Sequence, residues 1–381
     1  MRLLKINDKV LRTNVTRKKL IPVEKSNMNI WQWVNDIETE LKEQGHHRLA
    51  ELINELPNNT VDENHSQVDA IFPEALALAR AIKHPWLEVF VRHWNLQSRV
   101  VYRYEVTEML SEAVSLLEFS TRDETRACPQ SICVVQDLTI CYGLIDGPGY
   151  ADDCLAVCKE TLEKIDASWS CFTCISSEYA DALLKKEQYQ EAFNFLQQQN
   201  QTLLLANKYD ERFDLHGVWV ETLIHLQRYE EAYDFNKEAY SWEEGESEPL
   251  GKAIDEARIT AHLGRYDEAK KALPAFDKIS NASDYFSDWA DAIQLLVNAA
   301  VMPNDLSVNA QFQLMSEKLA QQGVIRSAFT ITLSQAELAL NRGDTDIATH
   351  CCERAEALIP RLYKPLDAPE LLKTMRSQIP K

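Results

Sequence analysis

Seven of the nine cysteines fall within 47 residues: Cys128, Cys133, Cys141, Cys154, Cys158, Cys171 and Cys174. Cys154 and Cys158 are spaced i,i+4 and Cys171 and Cys174 i,i+3, so on two facing helices they could bring four thiolates to a zinc ion. The same spacing suits a packed core, because free cysteine behaves as a small hydrophobe. Cys158 follows Cys154 by one helical turn, and Cys171 follows Trp169 on an apolar stripe. Core packing is the preferred reading, with metal or redox use of these four as the alternative. An odd number of cysteines scattered through helical patterns also predicts reduced thiols in a cytoplasmic setting.

Other chemistry is missing from the sequence. There is no Gly-rich phosphate loop, no Gly-x-Ser-x-Gly elbow and no His-Glu-x-x-His. The expectation is a non-enzymatic protein with no cofactor. The formal charge of -19 is unevenly spread. Residues 1–27 hold eight Lys or Arg against two acids, a net +6, which leaves the body at -25. An acidic body repels phosphate backbones and anionic lipid and attracts basic protein surfaces, so the expected partner is a protein or peptide with a basic surface, not nucleic acid or membrane. No apolar run of about 18 residues is present. Trp86, Trp94, Trp219 and Trp289 fall on apolar stripes and read as packing.

The elements that must position these residues are helices, and they recur. KKEQYQEAF (185–193), LQRYEEAYDF (226–235), LGRYDEAKKAL (263–273) and NRGDTDIATHC (341–351) each describe a helix ending in a polar turn, a second helix opening, and a small residue where two helices touch. Taking that small residue as a marker gives Ala75, Ala113, Cys154, Ala192, Ala232, Ala269, Val308 and Ala348, with gaps of 38, 41, 38, 40, 37, 39 and 40. The spacing predicts an all-α superhelix of about eight stacked antiparallel hairpins over 30–381, after a basic leader at 1–29 that reads as flexible. Turns inside hairpins are expected at 146–149, 262–265, 302–305 and 341–344, and loops between hairpins at 57–67, 120–130, 241–251 and 280–284.

The phrase resembles the tetratricopeptide-repeat superfamily. Tyr179-Ala180, Glu187, Tyr189 and Ala192 match its pattern in part, Arg258, Gly264, Tyr266 and Ala269 match its turn, and Ala336, Gly343, Ala348, Ala355 and Pro360 close the last repeat. The family period is about 34 residues, so this chain is a divergent, longer-period relative on that reading. Val220 stands where a small residue is expected, and the repeats at 154 and 308 lack the aromatic of the second helix.

The resemblance implies a concave groove lined by first helices. On it fall His225 and His262, seven residues before Ala232 and Ala269, with Glu221 and Arg258 four residues earlier. Asp181 and Lys185 continue the rows one way, and Glu337 and Asn341 the other, after an apolar interruption at Val297 and Val301. This mixed-charge track is the candidate partner site, read as a scaffold or adaptor groove for a peptide or helix. A regulatory sensor that changes shape on binding a peptide or small ligand is the second reading, and a cysteine-based metal or redox-responsive protein the third.

Overall fold

A computed structural model describes residues 30–242, 249–303 and 306–380. The leader at 1–29 and the acidic stretch Glu243, Glu244, Glu246 and Glu248 lie outside the described residues. Among the described residues there is no strand, and the helices pack as an α-α superhelix.

Helix α1 (Ile30–Glu43) precedes eight hairpins. These are α2 (His47–Val61) with α3 (His65–Ala81), α4 (Pro85–Leu96) with α5 (Val106–Ser120), and the two halves of α6 (Cys133–Leu162). They continue with α7 (Phe172–Lys185) and α8 (Tyr189–Leu205), α9 (His216–His225) and α10 (Tyr229–Ala239), and α11 (Pro249–His262) and α12 (Tyr266–Ala272). After the one-turn α13 (Phe276–Ile279) come α14 (Phe286–Asn298) with α15 (Leu306–Gln322) and α16 (Ile325–Arg342) with α17 (Thr345–Leu358), and α18 (Ala368–Gln378) follows.

Every marker residue sits on the second helix of its hairpin and is buried. Ala75, Ala113, Ala192, Ala232, Ala269 and Ala348 are fully covered, and Cys154 and Val308 nearly so. A small side chain there lets the two helix axes approach to about 8–10 Å. The turns share a mechanism. Glu187, Gln227, Gly264, Ala300 and Gly343 take positive φ, and the next amide closes a bond to the carbonyl five residues back: Gln188 to Leu183, Arg228 to Leu223, Arg265 to Thr260 and Asp344 to Ala339, at 2.9–3.0 Å. This left-handed cap satisfies carbonyls that the helix end would leave orphaned.

One expectation changes. The 57–67 segment is not a loop between hairpins: Pro57 lies inside α2, and the turn at 62–64 joins α2 to α3. Pro57 only forfeits an amide bond in a helix otherwise fixed by Leu49, Leu52, Ile53 and Leu56, all at most 2% exposed. The expected turn at 146–149 is present as a break inside α6, where Asp146 leaves helical geometry (φ -161, ψ 76).

The superhelix also closes on itself. The first helices run α6, α7, α9, α11, α14 and α16, and α16 packs back against α6. Asp146, fully buried at the α6 break, accepts from Arg326 Nε of α16 at 2.9 Å and from the Lys364 amide at 2.9 Å. Beside it the rings of Tyr142, Tyr150 and Tyr363 stack at 4.3 and 4.0 Å. The joint turns an open groove into a ring.

Candidate functional site

The inner wall of this ring carries most of the candidate track. Arg258 of α11, 7% exposed, is its centre. Its guanidinium donates two bonds to Glu221 of α9, at 2.5 and 3.0 Å, one to Asp291 of α14 at 2.7 Å and one to Asp288 of α14 at 3.1 Å. A planar fork with five donors is the side chain that can join three carboxylates on two neighbouring helices. Burial opposes ionisation of Glu221, but Arg258 and the His225 hydrogen bond overcome it and hold the carboxyl well below its usual range. Asp291 is likewise lowered against its burial, by His262 and Arg258.

The histidines occupy equivalent places, as their shared spacing from the markers requires. His225 lies 3.0 Å from Glu221 and stacks on Tyr189 of the preceding hairpin at 4.6 Å, with the planes 3° apart. His262 lies 3.5 Å from Asp291 and stacks on Tyr229 at 4.8 Å and 7°. Tyr189 and Tyr229, which open second helices, thus each carry the imidazole of the next first helix. Repeat stacking therefore fixes both the rings and the carboxylates they meet.

Lys185 and Asp181 form an i,i+4 pair on α7 at 3.3 Å, each about two-fifths exposed. The field of Asp181 raises the Lys185 ammonium against its burial, and Glu221 and Asp288 contribute from α9 and α14. Charges on α7, α9 and α14 therefore act on one another across the wall. Burial and neighbouring charge both act on the ionisation of Lys185 and Asp288, although each side chain keeps about two-fifths of its surface open. Burial, with Asp181, pushes Glu178 up to about 8, and burial, with Asp288, pushes Asp255 up to about 7. Burial also raises Asp288. Glu178, Asp255, Asp288 and Asp291 belong to this wall although sequence reasoning passed over them. The signal was available in part, since Glu178 and Asp255 precede Asp181 and Arg258 by three residues on the same helices.

Two candidates stand apart. Glu337 of α16 has no hydrogen bond to this network, and Asn341 donates to Asn298 of α14 at 3.1 Å. Val297, 8% exposed on α14, lies in the apolar interruption between.

The cysteines do not assemble a ligand set. Cys133 and Cys171 form a disulfide with Cα atoms 5.8 Å apart, which corrects the expectation of reduced thiols throughout and removes Cys171 from any quartet with Cys154, Cys158 and Cys174. The two are 38 residues apart, one repeat, so they sit side by side at the starts of parallel first helices. Cys154 and Cys158 are buried in the core, and burial raises both thiols and lifts Cys174 to about 12, keeping them protonated. Among the described residues no group of three or more His, Cys, Asp or Glu could hold a metal ion, and no helix is long and apolar enough to cross a membrane.

Comparison with known proteins names no relative: no protein-family model matches the chain, and no curated protein matches it.

Proposed function

We propose that this chain is a divergent tetratricopeptide-like, non-enzymatic scaffold that captures a basic peptide segment of another protein on the inner wall formed by α7, α9, α11 and α14. The observation that carries the reading is the charge balance around Arg258. Glu221 and Asp291 are stabilised as carboxylates by Arg258 and the histidines, and Asp181 holds Lys185, while burial pushes Glu178, Asp255 and Asp288 toward protonation, which further positive charge would offset. A lysine or arginine of a ligand supplies that charge. An outer cleft of about 410 Å³ over Phe193, Trp219 and Phe235 is the weaker candidate, because the chain's own Arg228 already lies over the Phe193 ring at 4.1 Å.

Selection from a random-peptide display library tests this. Basic peptides are expected from the wild type, with binding lost in Glu178→Gln with Asp288→Asn and weakened by salt. Peptides without basic enrichment, or basic peptides that bind the double variant equally, reject the proposal. The ring joint favours a second reading, a sensor whose curvature responds to the ligand, because the buried Asp146–Arg326 pair links the sixth helix to the sixteenth.

A further inference from the structure

The inner wall has a candidate occupant within this chain. Among the described residues of the wall, six carboxyls, Glu178, Asp181, Glu221, Asp255, Asp288 and Asp291, stand against the permanent cations Lys185 and Arg258. Asp181, Asp288 and Asp291 keep 41%, 38% and 38% of their side-chain surface open, so a ligand can touch them. Residues 1–27 carry the opposite imbalance, eight Lys or Arg against two acids. Four of these cations, Arg17, Lys18, Lys19 and Lys25, lie within 13 residues of Ile30, where the described chain begins.

Opposite charge alone does not choose the wall, because the whole body is acidic. The root of the leader does. Ile30 opens α1 and shares a surface pocket with Cys133 and Gln136 at the start of α6. Three residues after Gln136, on the same face of that helix, Thr139 places its hydroxyl beside the Glu178 carboxyl of α7. Gln136 and Thr139 are about 4.5 Å apart along the helix axis, so the leader departs beside the α7 end of the wall. From α7 the first helices α9, α11 and α14 follow at about 8–10 Å a step, which puts Asp255 and Asp288 about 16–30 Å beyond Glu178. At about 3.4 Å per extended residue, Lys25 reaches about 17 Å from Ile30, and Lys25 and Lys18 stand about 24 Å apart. The basic residues are thus spaced as the carboxyls are.

We propose that the leader is an internal ligand of the inner wall, with Lys25 at Glu178 and Asp181 and the Arg17-Lys18-Lys19 cluster at Asp255 and Asp288, and that it competes there with the basic segment of a partner. This rests on the wall being a site for basic peptides, as proposed above, and adds the regulation of that site. A tethered segment meets its site at an effective concentration of about 1 mM, so a leader that binds with a Kd of about 0.1 mM lowers the apparent affinity for a competing peptide about tenfold.

Carbodiimide cross-linking of the unmodified full chain, read by peptide mass spectrometry, tests the placement. Lys25 should join Glu178 or Asp181, and Lys18 or Lys19 should join Asp255 or Asp288, within one chain when light and heavy-nitrogen chains are mixed. Links from these lysines to other faces of the body, or between chains, overturn it. A fluorescent peptide copy of residues 14–27 tests the competition by anisotropy. It should bind a full chain carrying Arg17→Gln, Lys18→Gln, Lys19→Gln and Lys25→Gln about tenfold more tightly than the wild type. Equal binding to both chains, or none to the variant, overturns the inference. The wall as a peptide site fails separately, when display selection on that same variant yields no basic peptides.

Discussion

Replacing Arg258 by methionine keeps an unbranched, mostly apolar stem and removes the guanidinium that joins α9, α11 and α14. Breaking a buried ion pair by deleting one partner costs about 3–5 kcal/mol, because the other partner is left uncompensated. Three carboxylates are orphaned here, but Glu221, Asp288 and Asp291 keep 29%, 38% and 38% of their side-chain surface in open space. Partial rehydration puts the expected loss at the low end, about 3 kcal/mol at neutral pH. Acid should narrow the gap. In the wild type Glu221 and Asp291 have lowered carboxyls, so their stabilisation is complete above the unfolded value near 4 and is lost as pH falls through the folded value. In Arg258→Met those carboxyls rise and accept protons, which relieves the repulsion. Urea unfolding of both chains between pH 4 and 7 measures this, and Glu221→Gln in the variant should recover part of the loss in a double-mutant cycle. A loss under about 1 kcal/mol at pH 7, or a gap that does not change with pH, would refute the view of Arg258 as the hub.

Three further outcomes follow from the same structure. Asp146→Asn should free the Arg326 contact and loosen the ring, read as faster amide exchange at 325–330 and a larger radius of gyration in solution scattering. Gly149→Ala should do the same, because a Cβ there would collide with the Asp146 carboxylate; unchanged scattering in both would mean that other contacts hold the joint. Glu178, raised to about 8, binds more protons folded than unfolded, so stability should fall as pH climbs from about 4.5 to about 8. Glu178→Gln should flatten that slope, and an unaltered pH profile would count against the desolvated wall. Gln227, held at φ 58, should accept glycine with a gain of about 0.5–1 kcal/mol in urea unfolding, whereas a loss would show that its side chain matters more than its backbone.

The period was the legible part, and it reached further than the architecture. A ruler near 39 residues put eight small residues on eight second helices, and the same ruler accounts for partners it was not asked about. Arg258 meets Glu221 at a separation of 37, Arg354 meets Ser316 at 38, and Thr173 meets Asp214 at 41. The Cys133–Cys171 separation of 38 belongs to this set, but composition pointed to reduced thiols and hid it. What the ruler could not express was curvature. The contacts of Asp146 with Arg326 and Lys364 span 180 and 218 residues, and depend on a small rotation accumulated over several hairpins, which no local pattern records. For the same reason Glu337 and Asn341, in correct register on α16, did not join the network.

Curvature also decides what the inner wall means. On an open superhelix Glu178, Asp255 and Asp288 would be solvated carboxylates with ordinary acidity, and excess negative charge would favour basic partners only weakly through salt. The closed ring places Asp288 of α14 where its charge acts on Lys185 of α7. Each uncompensated carboxyl then becomes a preference for a cation. On the proposed reading, the joint of Asp146 with Arg326 and the Lys364 amide sets the strength of that preference. By linkage, a cationic ligand that binds the closed wall more tightly must in turn favour closure by the same factor. Scaffold and sensor therefore differ in degree along one coordinate: in a scaffold the Asp146–Arg326 joint holds whatever occupies the wall, and in a sensor the ligand and the joint are comparable in free energy.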